Sequence, residues 1–202
     1  MYSWDYLFNH PDLWLNVAGV EIFVQKGVFL PDPKITYSAQ IFMDHVPDFT
    51  GKRVLDVGTG SGVLGLYAAL QGAESVLAVD NNSLAIETAQ YNVKKLQLGE
   101  RVSVQKSDLF TKIEGSFDCI VGNLPILTEV WDDVDDTSSV IEQYLDHVGS
   151  YLSEGGSAYF MWASFAPIEQ VRELLARSPH QVTETTEDKM GFTWNLFELK
   201  KN

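Results

Sequence analysis

Arg53 to Asp80 reads RVLDVGTGSGVLGLYAALQGAESVLAVD. Arg53 to Val57 is a short run rich in β-branched residues, the pattern of a buried strand. Gly58, Gly60 and Gly62 follow directly. Val63, Leu64, Leu66, Tyr67, Ala68 and Leu70 then recur at helical spacing, and Gly72 ends the run. Ser75 to Val79 is a second buried strand, and it closes on Asp80. The order is strand, glycine turn, helix, parallel strand, carboxylate. Such a unit holds a nucleoside at the turn and its ribose hydroxyls at the acid.

The glycines alone do not choose the ligand, because Gly60, Gly62 and Gly65 also satisfy the dinucleotide spacing GxGxxG. Asp56, two places before Gly58, discriminates. A dinucleotide would bring its anionic pyrophosphate to this point, where a neighbouring carboxylate repels it. S-adenosylmethionine brings a sulfonium and an ammonium, which a carboxylate attracts.

VLDVGTGSGVLG resembles motif I of class I S-adenosylmethionine-dependent methyltransferases, and Asp80 resembles the acid that ends their second strand. Ser107-Asp108-Leu109 is similar to the later motif beside the adenine. Gly122-Asn123-Leu124-Pro125-Ile126 resembles the N/D-P-P-Y/F motif of the amino-methylating branch, with its HemK-like glutamine methyltransferases and small-domain RNA guanine methyltransferases. The resemblance runs from about Gly27 to Leu199. It implies a doubly wound α/β fold: a seven-stranded, mostly parallel sheet with helices on both faces and an antiparallel last strand. It implies that Asp56, Gly58, Thr59, Gly60 and Gly62 shape the methionine pocket. Asp80 and Asn81 would take the ribose, and Asp108 and Leu109 the adenine. Asn123 and Pro125 would stand at the reaction centre, with Asn123 also against the cofactor. GVFLPDP followed by ITYSA resembles the family's cofactor-covering segment, so Phe29 and Thr36 are further expected contacts. S-adenosylhomocysteine would be the product.

Two departures matter. Leu124 stands where the motif has its first proline, and Ile126 where it has an aromatic residue. An aliphatic side chain lacks the stacking that contributes about 1–3 kcal/mol per base. That weakens a nucleobase acceptor and leaves a planar amide, a small amine or a non-catalytic site.

The chemistry explains the motif. An amide or exocyclic amine nitrogen has a delocalised lone pair and is a poor nucleophile. The Asn123 side-chain oxygen and the backbone carbonyl before Pro125 can accept its two N–H groups, which aims the nitrogen and favours its pyramidal form. Pro125 fixes the loop's shape and removes a competing N–H. No general base is required, since the leaving thioether is neutral.

The bulk properties agree with one folded unit. The 202 residues suffice for one sizeable α/β domain, with residues 1–46 as a covering segment and 47–202 as the core. Apolar residues make up 45% and charged residues 21%, as in ordinary globules. The N-terminus lacks a basic region followed by an apolar run, and no run is long enough for a membrane span. One cysteine, Cys119, excludes an internal disulfide and suits a reducing, cytoplasmic setting. The net charge of −14, with 14 Lys and Arg against 28 carboxylates, disfavours bare nucleic acid, which needs cationic surface. A protein or small-molecule substrate fits better. The four histidines lack metal-ligand spacing, so no metal site is expected.

Outside the core motif, Tyr2, Trp4, Tyr6 and Phe8 alternate and predict either an aromatic arm on the body or a substrate lid. Val20 to Leu30 predicts two short strands, VEIFVQ and VFL, around Lys26-Gly27. Thr36 to Val46 is helical in pattern, as is Leu84 to Leu96. Arg101 to Gln105 and Phe117 to Gly122 are further strands. TEVWDDVDDT, from Thr128 to Thr137, is a solvated acidic loop, a gate for a cationic substrate, or less readily an oxygen-ligand metal site. Ser138 to Leu152 and Pro167 to Ala176 are helices. Ser157 to Trp162, Gln181 to Thr186 and Phe192 to Leu199 are strands, the last two an antiparallel pair. A nucleic-acid base methyltransferase and a cofactor-binding partner subunit without catalysis remain the alternatives.

Overall fold

A computed structural model describes residues 5–46, 48–126 and 137–201 of the chain. Seven strands form one sheet in the order β5-β4-β3-β6-β7-β9-β8. They are β3 (Arg53–Val57), β4 (Ser75–Asp80), β5 (Val102–Lys106), β6 (Phe117–Gly122), β7 (Leu152–Ala163), β8 (Gln181–Lys189) and β9 (Phe192–Lys200). β3 to β7 run parallel, while β9 lies antiparallel between β7 and β8. The seven-stranded sheet with an antiparallel final strand is thus as the sequence implies.

Alternation along each strand explains the layers. Val54, Val76, Ala78, Cys119, Val121 and Met161 face one core. Leu55, Val79, Ile120, Ala158 and Phe160 face the other. Helices α2 (Ser38–His45), α3 (Val63–Leu70) and α4 (Ser83–Lys95) cover the first, and α5 (Thr137–Val148) and α6 (Ile168–Leu175) the second. The winding reverses between β3 and β6, so a crevice opens beyond their carboxyl ends, where open α/β sheets bind ligands.

The N-terminal segment differs from expectation. Its hairpin pairs β1 (Leu13–Val17) with β2 (Val20–Val24), not VEIFVQ with VFL. The turn is Ala18-Gly19, both at positive φ (48° and 87°), as two-residue hairpins require. No Asn-Gly or Asp-Gly announces it. Lys26 to Leu30 form no strand, and Tyr6–Asn9 form one helical turn, α1. β7 also starts earlier than Ser157. Gly155-Gly156 makes a bulge within the strand, not a turn before it. A Cβ on Gly156 would stand 3.0–3.2 Å from three backbone carbonyl oxygens, so only glycine fits there. β8 likewise continues to Lys189, and the joint shrinks to Met190-Gly191, again both at positive φ.

Tyr2, Trp4 and the acidic stretch with Trp131, Asp132, Asp133, Asp135 and Asp136 lie outside the described residues. Among the described residues, no helix is long and apolar enough to cross a membrane.

Candidate active site

The glycine turn is built on two carboxylates. Asp56, the next-to-last residue of β3, is 1% exposed. Its Oδ2 accepts the Thr59 hydroxyl at 2.5 Å and the Gly65 N–H at 2.9 Å. The sequence argument gave this carboxylate to the ligand alone, but it also braces the turn. Gly65, read only as part of a spacing, has its own reason: a Cβ there would lie 3.0 Å from Asp56 Oδ2 and 3.2 Å from Val76. Burial pushes the Asp56 carboxyl up to about 6, against the lowering effect of the Thr59 and Gly65 hydrogen bonds.

Asp80 ends β4 on the neighbouring strand. Its Oδ2 accepts the Gly60 N–H and its Oδ1 the Asn82 N–H, both at 2.9 Å. Burial raises this carboxyl as well, with the N–H groups of Asn82, Gly60 and Asn81 opposing. Asn82 caps α4 through Leu84 N–H at 2.9 Å. Gly58 and Gly60 take positive φ, and a Cβ on Gly60 would point into open space at the cleft. The turn therefore presents bare backbone to whatever enters.

Asp56, Gly58, Thr59, Gly60, Asp80, Asn81, Asp108, Leu109, Asn123, Pro125 and Phe29 all line one cleft of about 490 Å³, within the range of cofactor sites. They come from the ends of β3, β4, β5 and β6 and from the loop after β2. Ser107 supports the third wall: its hydroxyl donates to Leu109 O at 3.0 Å and accepts Lys112 N–H at 3.2 Å. This turn holds Leu109 at φ 43°, a conformation that a side chain of its size rarely adopts.

On the fourth wall, Leu124 is buried and packs towards Gly58 and Gly122. Leu124, which takes the first proline's place, thus anchors the loop by burial. Asn123 Nδ2 donates to Ser38 Oγ at 3.1 Å.

Two expected contacts sit elsewhere. Thr36 does not line the cleft; its hydroxyl donates to Leu30 O at 3.1 Å and so secures the approach to α2. Gly62 caps α3 at φ 88° and packs against Ala89 of α4, where a Cβ would come within 3.3 Å. Its service is to let two helices approach.

The sequence reading missed several residues. Asp5, Phe8 and Asn9 of the N-terminal arm line the cleft. The arm is fastened by Gly27 N–H to Phe8 O, Leu30 N–H to Leu7 O, and the fully buried His10, whose Nε2 lies 2.9 Å from Val28 O. Asn92 is the clearest omission. At 1% exposure it accepts Phe23 N–H at 2.8 Å and donates to Phe23 O at 2.8 Å and Ser61 O at 2.9 Å. It ties β2 to the glycine turn. Its signal was available: a polar residue in the buried stripe Ala85, Ala89, Asn92, Val93 of α4. Asn92→Ala strands those buried backbone groups and should lower unfolding stability by about 2 kcal/mol in urea titration. A shift under about 0.5 kcal/mol would mean that water replaces the amide.

Residues 19–193 match the family model of the methyltransferase small domain. A ribosomal protein L11 methyltransferase of Bacillus subtilis is 31% identical over 176 residues, which are 87% of this chain and 45% of that protein. A methyltransferase of Pyrococcus furiosus superposes with a TM-score of 0.73 at 18% identity, over 92% of this chain and 91% of that one. The 16S rRNA N2 G1207 methyltransferase RsmC of Thermus thermophilus, solved with AdoMet and guanosine, also gives 0.73 at 21% identity, over 95% of this chain and 50% of that one. The chain spans less than half the length of the first L11 relatives it matches. The cleft at the strand ends is thus carried by a sequence and a fold that both point the same way: the chain belongs to the methyltransferase small domain family.

Proposed function

We propose that the cleft binds S-adenosylmethionine and that the chain methylates a nitrogen on a protein. The observation that carries this reading is the convergence of Asp56, Asp80, Asp108 and Asn123 on one cleft from four adjacent strand ends. The residues fit the cofactor's chemistry. Carboxylates face a ligand with two cationic groups, and the glycine turn leaves room for it. When bound, S-adenosylmethionine would supply an electrophilic methyl carbon on its sulfonium. Asp80 accepts the ribose hydroxyls, Asp108 the adenine amino group, and Leu109 covers the adenine. Asn123 Oδ1 and the Leu124 carbonyl accept the N–H groups of the acceptor nitrogen, and Pro125 holds that carbonyl in place.

A protein acceptor is supported by the net charge of −14, by the aliphatic Ile126, and by the L11 methyltransferase relatives. The test is transfer from radiolabelled S-adenosylmethionine to purified ribosomal protein L11, to total protein and to total RNA. Label that protease removes and nuclease leaves is the expected result. Nuclease-sensitive label would replace protein by RNA. Tight S-adenosylhomocysteine binding without label in any fraction would make the chain a cofactor-binding subunit.

The raised Asp56 carboxyl adds a pH dependence. In the free protein it is ionised above about 6 and protonated below. A cationic ligand favours the ionised form, so binding below pH 6 must release a proton. Affinity should fall about tenfold from pH 7 to pH 5, with proton release seen by calorimetry in buffers of different ionisation enthalpy. Asp56→Asn should flatten the profile. A flat profile in the unmodified chain would take Asp56 out of cation recognition.

A further inference from the structure

The strands do not end level at the cleft. β6 stops at Gly122, which pairs with Phe160 of β7, while β7 runs on to Ala163. Ala163 pairs with Trp194, so Phe192 lies two residues higher again. At about 3.3 Å per residue, the β8–β9 hairpin rises about 16 Å beyond Gly122. It stands two strands from β6, about 10 Å to the side. Its aromatic side shares a face of the sheet with the Asn123 amide. Trp194 packs in the core that α2 covers, Phe192 is on the same side of β9, and Asn123 meets Ser38 of α2. The hairpin is therefore a wall beside the place proposed for the acceptor nitrogen.

The wall is preformed. Ser164 N–H donates to Thr193 O at 2.8 Å, and Thr193 N–H to Ser164 Oγ at 2.9 Å. Phe165 meets Phe192 edge-on at 5.2 Å and Trp194 at 5.7 Å. Yet the top of the wall is apolar and open. Met190 is 62% exposed, the most of any large apolar side chain among the described residues, and Phe192 is 36% exposed. Met190 holds φ 56° in a two-residue turn, where Asn or Asp would suit both the backbone and the water. Methionine serves neither. Glu187, Asp188 and, on α2, Asp44 surround the tip. Its basic neighbours Lys189 and His45 both lie against Glu187, at 3.0 and 4.0 Å.

We propose that Met190 and Phe192, braced by Phe165, form a docking wall for the protein acceptor. The wall takes an apolar side chain with cationic neighbours, close to the nitrogen to be methylated. This rests on the protein methylation proposed above. Height selects the class of partner: a small amine at Asn123 ends well short of the tip, whereas a polypeptide passing the cleft lies along it. Charge selects between macromolecules. The carboxylates at the tip, on a chain of net charge −14, attract a basic protein and repel a phosphate backbone.

The experiment compares Met190→Asn and the double variant Met190→Asn/Phe192→Ser with the unmodified chain. Label transfer from S-adenosylmethionine is followed against the concentration of purified L11, or of whichever protein fraction the unmodified chain labels. The half-saturating acceptor concentration should rise about threefold in the single variant and about tenfold in the double one, as for a lost apolar anchor. Turnover at saturation and calorimetric cofactor affinity should stay within about twofold, since neither residue lines the cleft. Met190→Asn should unfold at no lower urea concentration than the unmodified chain, because the turn favours it. Should the double variant be less stable, the single variant decides. Unchanged half-saturation beside an active unmodified chain would overturn the wall and leave protein methylation standing. A loss confined to turnover at saturation would overturn it too. Label in RNA alone, or none at all, would remove the protein acceptor from this inference and from the activity together.

Discussion

Replacing Asn123 by alanine should lower turnover about 100-fold while holding cofactor affinity within about twofold. The loss follows from what the side chain would do. It follows the end of β6, the strand beside β3, and lines the cleft. The acceptor nitrogen is a poor nucleophile until its N–H groups are held. Without the amide, one N–H must be solvated by water, which does not fix direction. The fold should tolerate the change. Asn123 is only half-buried, while Gly122 and Leu124 on either side are buried and hold the loop. Gly122 lies against the Tyr144 ring, where a Cβ would be 3.4 Å away. Rates under saturating cofactor, with calorimetric affinity, check the expectation. Equal turnover would remove the orienting role. A loss of affinity as large as the loss of turnover would move Asn123 to the cofactor instead.

How much of this was legible follows from range. β3, α3, β4 and β6 are written in local patterns: β-branched runs, helical spacing and glycines at fixed offsets. They were legible to within a residue or two, and with them Asp56, Asp80 and Asn123. Asp56 was legible as an acid at a strand end, but not as the brace of its own turn. That use depends on Gly65, nine residues on, coming back within 2.9 Å. The first hairpin was misread because Ala18-Gly19 adopts a conformation that alanine does not advertise. The same holds for Met190-Gly191 and for the Gly155-Gly156 bulge, where a glycine pair looks like a turn but a Cβ on Gly156 would crowd the carbonyl oxygens of Ser153, Phe117 and Asp118. Ser38 meets Asn123 across 85 positions, a pairing no window of sequence contains. Thr36 shows the converse: a hydroxyl near the cofactor in a motif is, in space, a backbone anchor. Resemblance located the cleft, while tertiary contact decided which residues face into it.

Asp80→Ala should weaken S-adenosylmethionine binding by about 1.5–3 kcal/mol, which is roughly 10- to 150-fold, the range for a hydrogen bond to a charged group. The carboxylate works in two directions. Oδ2 holds Gly60 N–H and Oδ1 holds Asn82 N–H, so the acid joins the glycine turn to the start of α4. A carboxylate has about four acceptor sites, so oxygen capacity remains for a ribose diol. Alanine would remove the ribose acceptor and loosen the turn that frames it. Asp80→Asn tests the geometry more sharply. An amide keeps the shape but has one acceptor end and one donor end, while both ends of Asp80 meet N–H donors. Either orientation sets N–H₂ against N–H. The asparagine variant should therefore bind no better than the alanine variant, although it is the more conservative change by volume. If asparagine restored more than half of the lost binding energy, the two backbone bonds could not both be in place in solution. If neither variant altered affinity, the ribose would be held elsewhere, and Asp80 would serve only to close the turn.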